Sequence, residues 1–165
     1  MSGALPSIRT RRLTLEPLRP ATVAAMLEVE RAIEQGRAQP RSDGVLQERL
    51  SRWASMADAA RSGGTWVVFG SVRLVGRVAL DRDDGGSGWL SYALTPTARG
   101  QGLATEAAEA AIAWAFGAND VCDIRAVVRP ANTASIAVLR RLGMTLHPDS
   151  DAANSVFVLR SPHPV

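Results

Sequence analysis

The stretch LTPTARGQGLATEA, Leu94 to Ala107, decides how this chain is read. An apolar run that starts at Trp89 stops at Leu94, just before Pro96. A loop carrying Arg99, Gly100 and Gly102 follows, and an alanine-rich helical pattern starts near Ala104. A strand that enters a helix through such a loop is suited to hold an anion. The first-turn N–H groups have no intrahelical partner, and the helix dipole adds partial positive charge there. Glycine lets a phosphate approach backbone that a Cβ would screen. The residues alone therefore point to a phosphate-bearing cofactor or substrate.

At 165 residues the chain reads as one domain over 1–165, long enough to bury roughly 70% of its unfolded surface. No apolar run approaches the roughly 20 residues of a membrane span, so no membrane partner is expected. The opening MSGALPSIR has no signal-peptide shape. A single cysteine, Cys122, excludes an internal disulfide and suits a reducing cytoplasm. Beside a strand-like run it reads as a small buried hydrophobe.

All 19 basic residues are arginine, which accounts for a pI near 10.3. Without lysine, a P-loop and Schiff-base chemistry are both excluded. The net charge is only +3, and one tyrosine and three phenylalanines offer little for base stacking, so no nucleic-acid partner is expected. His147 and His163 lie in polar, proline-rich loops, and no ligand cluster has metal spacing, so no metal is expected.

Working outward from the loop gives the order β-α-α-β-β-β-α-β-α-β-β. Arg11 to Leu18 alternates as a half-buried strand. Pro20 opens a helix with Val23, Met26, Leu27 and Val29 on its apolar face, and Ile33 to Gly44 is a polar break. Val45 to Ala60 is a second helix, with Leu46, Leu50, Trp53 and Ala57 on one stripe and Ser62 to Gly64 as its stop. Thr65–Phe69 and Leu74–Leu80 form a hairpin around Gly70 and Ser71. Trp89–Leu94 is the fourth strand. The helix Ala104–Phe116 packs closely through alanine, anchored by Trp114 and Phe116. Ile124–Arg129 is the fifth strand. The helix Thr133–Leu142 turns Ile136, Leu139 and Leu142 inward and ends at Gly143. Strands around Leu146 and at Ser155–Arg160 close the chain. The fold class is α/β, a mixed sheet with helices on both faces.

The loop also matches half of a dinucleotide-binding fingerprint, but Thr105 stands where the third glycine belongs and no βαβ unit leads into it. A different likeness covers nearly the whole chain. Arg99 to Ala104 resembles the R/Q-x-x-G-x-G/A acyl-CoA signature of the GNAT N-acetyltransferase superfamily. Arg129 to Ser135, continuing through Val138 to Met144, resembles the RimJ/RimL-type continuation, in which Pro-x-Asn-x-x-Ser leads a helix ending in Leu-Gly-Phe; here Met144 replaces the phenylalanine. Ile8 to Leu18 is similar to that branch's opening strand.

The resemblance implies a central, twisted, mostly antiparallel sheet of about seven strands, splayed between strands 4 and 5. It implies acetyl-CoA as co-substrate and an amine acceptor, either a peptide N-terminus or a small molecule; a homodimer is compatible with it. Backbone amides of Arg99, Gly100, Gln101, Gly102, Leu103, Ala104 and Thr105 would cradle the pyrophosphate. The Leu94 N–H would face the thioester carbonyl, and Asn132 the pantetheine. Ser135 would hydrogen-bond or protonate the departing sulfur. Asn132 also suits a helix cap, and Ser135 suits local first-turn bonding. Many members carry a tyrosine one helical turn later, and that position is Leu139. Arg140 or Arg141 could reach the adenosine phosphates. Glu106 and Glu109 suit the helix dipole and read as structural.

Relatives in that branch show Glu-x-Gly-Tyr on the fourth strand, where this chain has Trp89-Leu90-Ser91-Tyr92. Trp89 cannot accept a proton. Asp81, Asp83, Asp84, Asp149 and Asp151 are the other carboxylates considered for a base, all in turn-like context. Without a base, α-amino groups are favoured over lysine side chains. The expected function is acetyl transfer to a primary amine, most simply a protein N-terminal α-amino group. The alternatives are a non-catalytic acyl-CoA-binding or regulatory module, raised by Trp89, and a polyamine or antibiotic acetyltransferase.

Overall fold

The protein is described by a computed structural model over residues 4–35, 37–56, 63–117 and 121–162. Its eight strands are β1 (Ile8–Arg9), β2 (Thr14–Pro17), β3 (Gly64–Phe69), β4 (Leu74–Arg82), β5 (Ser87–Leu94), β6 (Asp123–Val128), β7 (Thr145–Leu146) and β8 (Ser155–Arg160). The helices are α1 (Val23–Glu34), α2 (Asp43–Met56), α3 (Leu103–Gly117) and α4 (Thr133–Arg141). The strands form one sheet in the order β1-β2-β3-β4-β5-β6-β8-β7. Every pairing is antiparallel except β5 with β6.

Alternation along the strands gives the sheet two apolar faces. On β3, Trp66 and Val68 face α3 and α4, while Val67 and Phe69 join the cluster under α1 and α2. The close approach expected of the alanines holds: Ala107, Ala108, Ala111 and Ala115 of α3 are all buried against the sheet. Trp114 meets Trp66 edge-on at 5.2 Å between ring centroids, and Phe116 is buried beside it.

Four expectations change. The sheet has eight strands, because the Thr10 N–H bonds the Leu13 carbonyl at 2.9 Å and reverses the chain. Arg11 and Arg12 therefore sit in a turn, and Ile8–Arg9 adds an edge strand. The proposed break at Ile33 starts too early. Ile33 and Glu34 are buried in the last turn of α1, where Glu34 is held by Arg37 and Arg41. Cys122 is exposed rather than buried; its neighbour Val121 takes the inward position, and alternation turns the thiol outward. The second helix begins at Asp43, two residues early. Ala57, Ala60, Ser62 and His163 lie outside the described residues.

Candidate active site

The parallel pairing of β5 with β6 covers only Ser87, Gly88 and Trp89 against Asp123, Ile124 and Arg125. Beyond Trp89 the two strands part. This is the splay expected between the fourth and fifth strands, here β5 and β6 because β1 shifts the count. Hydrogen bonds from Thr95 N–H to the Val75 carbonyl and from Asp83 N–H to the Ser87 carbonyl fix the ladder of β4 and β5. In an antiparallel ladder such bonded pairs alternate with non-bonded ones. Odd-numbered residues of β5 therefore bond β4, and the backbone of Leu90, Tyr92 and Leu94 points toward β6. At Tyr92 and Leu94 no β6 residue is in register, so their N–H groups face the gap.

A short 3-10 turn, Pro96–Ala98, carries β5 into the glycine loop. Gly100 and Gly102 take φ values of +73° and +75°, which a side chain would oppose. This loop delivers the chain to the start of α3 with its first-turn amides unpaired. The loop is braced from two sides. Arg99 Nε donates back to the Leu94 carbonyl at 3.2 Å. From the β1–β2 turn, Arg12 donates Nη1 to the Gln101 carbonyl at 2.8 Å and Nε to Glu106 at 2.7 Å. The Arg12 N–H and the Thr10 hydroxyl bond the other Glu106 oxygen. Burial pushes the Glu106 carboxyl up, but these bonds from Thr10 and Arg12 outweigh it and hold the group below its usual range. Glu106 is structural, as expected. Arg12 is the residue that the sequence reading passed over, and only its contact across 94 residues of chain reveals it.

Beside the loop lies an open cleft of about 800 Å³, lined among others by Arg11, Arg12, Gly102, Thr105 and Arg141. Arg141 thus faces the same space as the loop. The Thr105 hydroxyl is buried there with no hydrogen-bond partner among the described residues. Positive side chains, unpaired amides and a wide cleft fit a polyphosphate nucleotide.

Across the splay, the Asn132 side chain caps α4 by accepting the Ser135 N–H at 3.1 Å. That bond uses its oxygen and leaves the amide NH₂ available. The phenol of Tyr92 donates to the Ser135 carbonyl at 3.2 Å, joining β5 to the first turn of α4. Burial raises the phenol above its ordinary value of 10, with the bond to Ser135 opposing. Leu139 is buried in the core and brings no polar group to the gap.

Trp89 donates its indole N–H to Asp83 at 2.8 Å, and Arg125 lies over its ring. That bond, with one from the Ser87 N–H, holds the Asp83 carboxyl below its usual range. Asp81 pairs with Trp89 across the strands, and burial raises its carboxyl while the Arg77 charge opposes. It lies level with Trp89, roughly 16 Å along the strand from Leu94. Among the described residues no cluster could hold a metal ion, and no helix is long and apolar enough to cross a membrane.

A family model described as "Acetyltransferase (GNAT) domain" matches residues 12–145. This chain belongs to the GNAT acetyltransferase family. It is an acetyltransferase, and acetyl-CoA is its co-substrate. Among solved structures it is similar to an acetyltransferase from Agrobacterium tumefaciens at 25% identity, with TM-score 0.78 and 97% of each chain covered. It is also similar to the ribosomal L7/L12 alpha-N-protein acetyltransferase RimL, in complex with coenzyme A, at 15% identity and TM-score 0.81, covering 94% of this chain and 98% of that one. The ribosomal-protein-S5-alanine acetyltransferase of Vibrio fischeri aligns at 16% identity and TM-score 0.79, covering 96% and 98%. At the identities of the last two the likeness is one of fold. A comparison of the sequence with curated proteins gives no match.

Proposed function

We propose that this GNAT acetyltransferase is RimJ/RimL-like and acetylates the N-terminal α-amino group of a protein or peptide by direct attack on the thioester. The amides from Arg99 to Thr105 would hold the pyrophosphate, and the Asn132 NH₂ would meet the pantetheine. The Leu94 N–H, facing the splay, would stabilise the oxyanion as the amine adds. Ser135, in the first turn of α4, would hydrogen-bond the departing sulfur. No covalent enzyme intermediate is involved. The dinucleotide-fingerprint reading receives no support from the sheet, whose one parallel pair among the described residues is β5 with β6.

One observation carries the choice of acceptor. The β5 position where relatives place a carboxylate holds Trp89, whose indole is a donor already spent on Asp83. Asp83 is engaged by the indole and by the Ser87 N–H, so on this reading the amine arrives neutral or loses its proton to water. At pH 7 a lysine amine is neutral about once in 2,500 molecules, an α-amino group about one time in seven. The expected preference for α-amino acceptors is one to two orders of magnitude, roughly, after the stronger nucleophilicity of the more basic amine is discounted. The test is product thiol release at neutral pH from peptides offering a free N-terminus only, a lysine only, or a small polyamine. Faster acetylation of lysine or polyamine than of N-termini would overturn this choice of acceptor.

A further inference from the structure

The nucleotide cleft runs along α3, so an amine that meets the thioester without crossing the cofactor arrives from the opposite face of the sheet. On that face the end of β5 presents Ala93, one residue before Leu94, and the exposed Ser91. Arg77 of β4 pairs in register with Ala93, at roughly 5.5 Å between Cα atoms for a bonded antiparallel pair. Its other in-register neighbour, Val67 of β3, is buried under α1 and α2. The β5 side is therefore the open flank of Arg77.

Arg77 is itself only 7% exposed. Its Nε donates to Glu30, and its guanidinium lies over the Trp53 ring at 4.9 Å. Nη1 sits on the far side of the planar fork from Nε and is buried with no hydrogen-bond partner among the described residues. Arg49, over the same ring, also has a buried Nε without a partner. One carboxylate, Glu30, serves both guanidiniums, so the cluster carries one positive charge in excess. Asp81 stands four residues further along β4, roughly 13 Å away. A buried cation with spare N–H groups is costly alone and favoured once a carboxylate reaches it.

We propose that Arg77 is a specificity anchor for the acceptor, binding an acidic side chain in the first two residues of the peptide. This rests on the N-terminal acceptor reading above. With the α-amine at Leu94, an extended chain keeps those two residues within roughly 7 Å of it, beside Ala93 and the guanidinium. The carboxylate supplies the negative charge that the cluster lacks and accepts the orphaned N–H. Arg77 is already desolvated and held by Glu30 and Trp53, so binding orders the peptide side chain and leaves the arginine as it is. An amide of the same shape offers an acceptor oxygen but no charge, so the anchor separates acid from amide.

The test compares N-terminal peptides that differ only as Asp or Asn at residue 1 or residue 2. Wild-type kcat/KM should favour one Asp peptide over its Asn partner by about 10–100-fold, the range of one hydrogen bond to a charged group, mainly through KM. Arg77→Met removes the charge and the donors, and the ratio should fall to within about twofold of one. Arg77→Lys keeps the charge without the fork and should lie between. A purely structural role would slow both peptides alike and leave the ratio where it was. If Arg77→Met does not fold, the wild-type and Arg77→Lys ratios decide. N-termini acetylated without regard to Asp or Asn overturn the anchor alone, as does a folded variant that keeps the full preference. A wild type that acetylates lysine or polyamine in preference to N-termini overturns the acceptor reading, and the anchor falls with it.

Discussion

Arg12 shows how much a single side chain can decide. Its planar fork reaches Glu106 with Nε and the Gln101 carbonyl with Nη1 at once, and its Nη2 lies 3.5 Å from where a Cβ would stand on Gly102. It therefore shapes the loop and leaves a charged donor beside it. Replacing Arg12 with alanine should weaken acetyl-CoA binding about tenfold, equivalent to about 1.4 kcal/mol, a modest figure because the side chain is 39% exposed. Arg12→Lys keeps the charge but not the fork, so it should recover only part of the loss. Calorimetric titration with acetyl-CoA measures both, and unchanged affinity in both variants would remove Arg12 from the site. The position was visible in the sequence as one of several arginines. Its partner, in the first turn of α3, was not.

At the scale of elements, two junctions support the site, and each has its own test. The Asn132 cap fixes the first turn of α4, where Ser135 sits. Asn132→Ala should cost about 1 kcal/mol of stability. Asn132→Asp keeps the capping oxygen and loses the NH₂ donor, so it should fold normally but bind acetyl-CoA more weakly. Thermal unfolding and CoA titration separate the two roles. The second junction ties α1, α2 and β4 together. Glu30, fully buried on α1, accepts from Arg77 Nε at 2.5 Å and from Arg49 Nη2 at 2.6 Å, and both guanidiniums lie over Trp53. Removing the carboxylate leaves buried cations unpaired, so Glu30→Ala should destabilise by about 3–5 kcal/mol, read from a denaturation midpoint. The alternation of strand residues and the apolar stripes of the helices made these elements legible from sequence. The cluster around Glu30 was not legible, because an isolated glutamate in a helical pattern reads as a solvated face until its partners from two other elements are known.

Across the whole molecule, acid should loosen the fold in a predictable direction. Glu34 and Glu106 are mostly buried, and burial pushes both carboxyls up. For Glu34 the backbone bond from Arg41 and the charges of Arg37 and Arg41 prevail; for Glu106 the bonds from Thr10 and Arg12 do. Both native values therefore lie below the ordinary 4.5. Their contribution to stability is complete above about pH 4.5 and is lost as pH falls through the lower native values. Urea midpoints recorded from pH 6 down to pH 3 should fall below pH 4.5, and Glu106→Gln should flatten part of that fall. A midpoint that stays level across the range would contradict the assignment.

By itself the sequence determined the strand-loop-helix that presents unpaired amides, the order of the elements apart from the edge strand β1, and the alternation that builds a two-faced sheet. Those depend on local dihedral preferences and on periodicity, which a one-dimensional string carries in full. Tertiary structure decided where β5 and β6 part, which N–H groups are thereby left facing the gap, and that Tyr92 reaches Ser135 across it. It also decided that Arg12 braces the loop and that Trp89 turns its indole to Asp83. Those are contacts between residues distant along the chain, and their geometry is set by register and packing rather than by any neighbour in sequence.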